Sequence, residues 1–150
     1  MTEPNELISV VIPAYKSEDI LPHLYERLTE TLGGMGMPYE IVVVCDCSPD
    51  NTWQRLTEIA EKDWHVKAIL LRRNFGCNGA LMAGLSAAKG DLIITMDDDL
   101  QHAPEDIPAL VGEIRKGYDI VFANFPIKKQ TVLKNFGSWL NGILGQVVLK

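Results

Sequence analysis

Two periodicities alternate along this chain. Leu7–Ile12 is an apolar, β-branched run that ends at Pro13, the pattern of a buried parallel strand. From Glu18 to Leu32 the apolar positions shift to helical spacing: Ile20, Leu21, Leu24, Leu28 and Leu32 share one face. Pro22 falls in the first turn, where it is tolerated, and the glycines at 33, 34 and 36 end the helix. Ile41–Val44 predicts a second strand with Asp46 just past its end. Ser48 or Asp50 then caps a helix running to about Asp63, with Trp53, Leu56, Ile59 and Ala60 on one side. Val66–Leu71 is a third strand, residues 72–76 a loop, and Gly79–Lys89 a helix of small residues suited to close packing on a sheet. Leu92, Ile93 and Ile94 form a fourth strand, and its carboxyl end carries Asp97, Asp98 and Asp99. Pro104 opens a helix to Lys116, Gly117 stops it, and Asp119–Ala123 is a fifth strand.

Strands alternating with helices predict an α/β fold: a mostly parallel sheet with right-handed crossovers and helices on both faces, a three-layer sandwich. No internal repeat or low-complexity segment interrupts it. The one shift in composition, at about residue 126, divides the chain into a core over 1–126 and a tail over 127–150. In the tail, Val132, Leu133, Phe136, Trp139, Leu140, Ile143, Leu144, Val147 and Val148 recur at helical spacing beside four lysines. It reads as a basic amphipathic helix. Such a stripe lies on an anionic lipid surface, packs on the sheet, or pairs with a second copy.

Composition narrows this picture. With 150 residues, 47% of them hydrophobic, the chain can build one compact core. The net charge of −6 argues against nucleic acid as a partner. Three cysteines at unrelated spacings, Cys45, Cys47 and Cys77, make a disulfide framework improbable and suggest thiols in a reducing compartment. The N-terminus has neither the basic region nor the apolar segment of a signal peptide. No apolar run reaches the ~18 residues that a membrane-spanning helix requires. The expected location is cytoplasmic, peripheral at the inner membrane face if the tail binds lipid.

Candidate chemistry gathers after the strands, in Pro13–Glu18, Asp46–Asp50 and Asp97–Gln101. A doubly wound sheet brings such ends to one edge, where ligands bind. If the extended backbone continues, Asp97 and Asp99 face one side and Asp98 the other. Three adjacent carboxylates repel unless a cation or water screens them. Mg²⁺ or Mn²⁺ with oxygen ligands suits the spacing, and so does a solvated acidic turn capping the next helix. No G-x-x-x-x-G-K-S/T is present, which excludes a P-loop, and no G-x-G-x-x-G follows the first strand. A phosphatase with an aspartyl nucleophile would carry its paired aspartates after the first strand, whereas these follow the fourth.

SVVIPAYKSED, VVVCDCSPDNTW, LRRNFGCNGALMAGLSAAKGD and ITMDDDLQHAPEDIP occur in this order over residues 7–124. Together they resemble the family-2 glycosyltransferases of GT-A fold, and within them the dolichyl-phosphate mannose synthase type, which moves sugars onto polyprenyl phosphates. The resemblance implies a nucleotide-diphosphate sugar donor (UDP-, GDP- or dTDP-linked), a Mg²⁺ or Mn²⁺ cofactor, and transfer with inversion to a polyprenyl phosphate or a saccharide. Carried over by position, Pro13 and Tyr15 match the loop lining the nucleotide site, and Asp46 matches the acid that hydrogen-bonds the base. Arg73 falls in the matched segment near the nucleotide. Asp97 and Asp99 match the outer positions of the D-x-D motif, the latter holding the metal. Asp98 fills the variable middle, and Gln101 matches a polar position that reaches the metal.

The chain also departs from the pattern. Cys45-Asp46 stands where relatives often have two acids. Lys16-Ser17 stands where they often have Asn-Glu, with Glu18 close by as a candidate for the donor site. In the family the acceptor half and the general base lie beyond the matched segment, and after Phe125 this chain offers only lysines as acid–base groups. The expectation is therefore a donor-binding half of a glycosyltransferase. The alternative is a non-catalytic nucleotide-sugar-binding or assembly module. A metal-dependent nucleotidyl-transferring enzyme is a weaker third reading, with Lys16 as its only phosphate-gripping candidate.

Overall fold

The structure, a computed structural model, describes residues 6–123 and 146–149. Its elements in chain order are β1 (Ile8–Ala14), α1 (Leu21–Gly34), β2 (Tyr39–Cys45), α2 (Thr52–Ala60), β3 (Val66–Leu70) and α3 (Gly76–Ala87). Then follow β4 (Leu92–Thr95), a 3₁₀ turn at Pro104–Asp106, α4 (Ile107–Ile114), β5 (Ile120–Phe122) and β6 (Gln146–Leu149).

One six-stranded sheet has the order β3-β2-β1-β4-β6-β5. The pairs β1–β2, β1–β4 and β2–β3 are parallel, while β6 runs antiparallel to both β4 and β5. The order reverses between β1 and β4, so the carboxyl ends of the first strands open onto a crevice. The α/β sandwich expected from the pattern is thus the observed architecture.

The central strands are apolar at most positions because both faces are covered. Ile8, Val10 and Ile12 of β1, with Ile41 and Val43 of β2, meet Leu21, Leu24, Leu28 and Leu32 of α1, along with Leu56 of α2 and Ile107, Val111 and Ile114 of α4. Each of these side chains is at least nine-tenths buried and contributes on the order of 2 kcal/mol through removal from water. On the opposite face Val11, Val42, Val44 and Ile93 meet α3. There the small residues matter: a Cβ built on Gly84 would lie 2.4 Å from Val11 Cγ1. Helix and sheet approach closely because no side chain stands between them.

Three sequence expectations change. First, α3 begins at Gly76, not Gly79. Gly76 takes a left-handed φ of 79°, and its N–H donates to Asn74 Oδ1 at 3.0 Å. The glycine that reads as loop is therefore the turn that starts the helix. Second, β4 ends at Thr95, so the aspartate triplet lies on a loop, and the strand alternation that separates Asp98 from its neighbours does not reach it. Third, the helical tail fails over 146–149, where Val147 and Val148 lie on β6 between β4 and β5. Short β-branched runs fit strand as well as helix, and the second edge of β4 offers a hydrogen-bonding partner. A boundary at 126 thus cuts off a strand of the sheet. The rest of that amphipathic stripe lies outside the described residues. Among the described residues no helix is long and apolar enough to cross a membrane.

Candidate functional site

A cleft of about 270 Å³ opens at the carboxyl edge of the sheet. Pro13, Ala14 and Tyr15 line it from the end of β1, and Asp46 from the end of β2. Asn74, Gly76, Cys77 and Ala80 come from the start of α3, and Asp97, Asp98 and Asp99 from the loop after β4. Four carboxylates line this space, and among the described residues no lysine or arginine is in the lining.

Asp46 is almost fully buried, at 3% exposure. Its N–H donates to the Ala14 carbonyl at 3.0 Å, and its Oδ1 accepts the Phe75 N–H at 2.7 Å. These bonds fasten three loops around one carboxylate. Tyr15, 44% exposed, forms a wall of the cleft, and the Lys16 ammonium stands 5.6 Å from its ring centroid.

The loop carrying Tyr15 is held by its neighbour. Ser17 N–H donates to Thr52 Oγ1 at 2.8 Å, and Lys16 N–H to Ser48 Oγ at 2.8 Å. Asp50 is the hub behind them: it accepts from the Ser48 hydroxyl (2.6 Å), the Thr52 hydroxyl (2.6 Å) and the Thr52 N–H (3.1 Å). Burial works against its ionisation, but these donors outweigh burial and hold its carboxyl below the usual range. The N-cap position of α2 is Asn51, not Ser48 or Asp50, and Asp50 one residue earlier accepts the Thr52 N–H and braces the β1 loop.

The aspartates after β4 differ from one another. Burial, then the charge of Asp99, pushes the Asp97 carboxyl above its usual range, and nearby His102 works the other way. Burial also raises Asp98, against hydrogen bonds from the Ser17 hydroxyl and the Tyr15 N–H. Asp99 Oδ1 accepts the Gln101 N–H at 2.9 Å, turning the chain toward the helix ahead. Among the described residues no three His, Cys, Asp or Glu side chains form a ready metal cage.

The structure thus brings Pro13, Tyr15, Asp46, Asp97, Asp98 and Asp99 together. Glu18, Arg73 and Gln101 fall outside the lining. Glu18 faces α2, with its N–H near Asp50 Oδ2 at 3.4 Å and its Oε2 accepting the Asn51 N–H at 3.0 Å. The Arg73 guanidinium lies 4.7 Å from the Phe75 ring centroid. Gln101 is exposed. Residues that sequence reasoning passed over are Ser17, Asn74, Gly76, Cys77 and Ala80. The Asn-x-Gly spacing at 74–76 was their signal, since an Asx turn into a helix places that helix's first turn beside the preceding strand. A helix N-terminus also favours an anion at this spot.

The family model for glycosyl transferase family 2 matches residues 9–145. The chain belongs to glycosyl transferase family 2. Curated relatives include undecaprenyl-phosphate 4-deoxy-4-formamido-L-arabinose transferases. That of Klebsiella pneumoniae is 48% identical over 119 residues, covering 79% of this chain and 36% of the relative. That of Yersinia pestis is 46% identical over 122 residues, covering 81% and 37%. The chain spans a little over a third of the length of these relatives. Among solved structures, S. aureus TarS 1-349 in complex with UDP is 26% identical at a TM-score of 0.62, covering 83% of this chain and 37% of TarS. The mannosyltransferase PcManGT from Pyrobaculum calidifontis, in complex with GDP-Man and Mn²⁺, has a TM-score of 0.57 at 24% identity, covering 71% and 32%, and speaks for the fold alone. These neighbours are GT-A glycosyltransferases, in agreement with the sheet and its helices on both sides.

Proposed function

We propose that this chain forms the donor-binding part of a glycosyltransferase that takes a sugar from a nucleoside diphosphate and passes it, with inversion, to a polyprenyl phosphate. The observation that carries the reading is the cleft itself, which Asp46 after β2, Asp97 and Asp99 after β4, and the first turn of α3 line together. The similarity to undecaprenyl-phosphate transferases supports the lipid acceptor, and the UDP complex of TarS supports a nucleoside diphosphate as the donor's leaving group.

The residues fit a divalent cation. Asp97 and Asp99 are neighbouring carboxylates with no basic residue in the lining, and Asp97 is held partly protonation-prone by burial and by that neighbour. Mg²⁺ takes one or two carboxylates and completes its shell with water and substrate phosphates, and Mn²⁺ shares its preference for oxygen ligands. When bound, such a cation supplies charge neutralisation for the departing diphosphate. Asp97 and Asp99 would hold it. Tyr15 offers an aromatic face to the nucleoside, and Asp46 an acceptor to a base N–H through the oxygen not used by Phe75. The N–H groups of the first turn of α3 favour the diphosphate.

The test is calorimetric titration with UDP, GDP and dTDP, each with Mn²⁺ and with EDTA. One nucleotide is expected to bind, and only with the cation. Asp99→Asn is expected to abolish cation-dependent nucleotide binding, and unchanged affinity of that variant in Mn²⁺ would sink the metal assignment. Donor hydrolysis or transfer separates a transferase from a binding module that turns nothing over.

A further inference from the structure

We propose that Asp98 is a positioning residue: it pins the loop carrying Tyr15 to the aspartate loop, and it is not a ligand of the cation. The proposal builds on the donor-site reading above, and asks which of three adjacent carboxylates does what.

Asp98 Oδ2 accepts the hydroxyl of Ser17 and shares the Tyr15 N–H with that hydroxyl's oxygen, at 3.3 Å to Asp98 and 3.2 Å to Ser17 Oγ. Ser17 is buried at 3% exposure, and its own N–H is fixed to Thr52. Between these two residues Lys16 takes a φ of 58°, a left-handed conformation that non-glycine residues adopt only when neighbours impose it. The loop after β2 holds this segment from one side through Ser48 and Thr52. Asp98 holds it from the other, across 83 positions of sequence to Tyr15. An acceptor is needed there because a buried hydroxyl and a backbone N–H both point at the same spot. Asp97 and Asp99, on either side, make no comparable bond to the Tyr15 loop. The triplet therefore divides its labour: all three line the cleft, and the middle one also sets where the wall of the cleft stands.

A cation ligand and a hydrogen-bond acceptor respond differently to one substitution. Asp98→Asn removes the charge but keeps an oxygen for both donors, whereas Asp98→Ala removes both. The measurement is amide hydrogen exchange on the unliganded chain, resolved over residues 14–18, with UDP titration in Mn²⁺ alongside. Asp98→Ala is expected to speed exchange at Tyr15 about tenfold, the scale of a lost charge-assisted hydrogen bond. It is also expected to weaken UDP by a similar factor. Asp98→Asn is expected to stay within about threefold of the parent chain in both, and Ser17→Ala to reproduce part of the alanine effect. Unchanged exchange at Tyr15 in Asp98→Ala overturns the proposal, as does an asparagine variant as impaired as the alanine one. If the parent chain binds no nucleotide, the donor reading fails, and the exchange data still decide the role of Asp98.

Discussion

Replacing Gly84 with alanine should destabilise this fold although alanine is the better helix former. Gly84 sits inside α3 where the helix lies against β1 and β2. A Cβ there would stand 2.4 Å from Val11 Cγ1 and 3.1 Å from Val44 Cγ2, against ordinary contact beyond 3.4 Å. Val11 and Val44 are fully buried, and valine has little χ1 freedom with which to retreat. The helix must therefore lift, or the strand must shift. Overpacking of this kind costs about 1–3 kcal/mol, and the tightness of the contact argues for the upper part. The gain of alanine over glycine in a helix offsets about 1 kcal/mol. A net loss of about 1–2 kcal/mol remains.

Gly112 is the control. It lies in α4, exposed, with nothing within 4 Å of a built Cβ. The same substitution there should stabilise by about 0.5–1 kcal/mol. Urea unfolding followed by tryptophan fluorescence reads both variants. With a slope of about 2 kcal/mol/M, the midpoint should fall by about 0.5–1 M for Gly84→Ala and rise by about 0.25–0.5 M for Gly112→Ala. A Gly84→Ala chain as stable as its parent would refute the close-packing argument, since propensity would then have prevailed over contact.

Four further outcomes follow from the polar networks. Asp50→Ala should cost about 1–3 kcal/mol at neutral pH by orphaning the donors of Ser48 and Thr52. Because the folded pKa of Asp50 is depressed, its contribution is present above the ordinary carboxylate pKa and lost as pH falls through the folded one, so parent and variant denaturation midpoints should converge in acid. Burial, then a hydrogen bond to Asp63 at 2.9 Å, pushes the Tyr25 hydroxyl up to about 12, and absorbance at 295 nm should show one tyrosine ionising there in the folded chain. Its contribution is complete below a pH of about 10 and lost as pH rises through about 12, so the parent's stability advantage over Tyr25→Phe should vanish across that window.

Much of this fold is legible in the sequence because buried parallel strands are short continuous apolar runs and the helices between them carry a clear stripe. α1 shows it plainly: Leu21, Leu24, Leu28 and Leu32, the positions picked out by spacing, are the residues it buries. Legibility fails where one residue type serves two ends. Gly76 reads as loop because glycine disfavours helix, yet it is needed for the left-handed entry, and Gly79 inside the first turn sits against the Phe75 Cβ, which a side chain would meet at 2.6 Å. It fails again at Gln146–Leu149, where the deciding fact is non-local: an open edge of β4, more than fifty residues earlier, selects strand over helix.

The candidate site divides along the same line. Proline, tyrosine and the acids after strand ends are visible because the topology of an α/β sheet sends every parallel strand's carboxyl end to one edge. What each carboxylate does there is not visible, because it depends on which donors reach it. Asp46, Asp50 and Asp98 are three similar letters, yet one joins loops beside the cleft, one braces from behind, and one ties the wall to the floor. Asp97 and Asp99 line a space with no basic side chain among the described residues of its lining. Adjacent carboxylates in one lining favour a ligand that brings positive charge, so the acidity of the cleft is itself an argument about its ligand. A nucleoside diphosphate alone would add anion to anion. Arriving with a divalent cation it becomes the missing counter-charge, which is why nucleotide binding and cation binding should be lost together in Asp99→Asn.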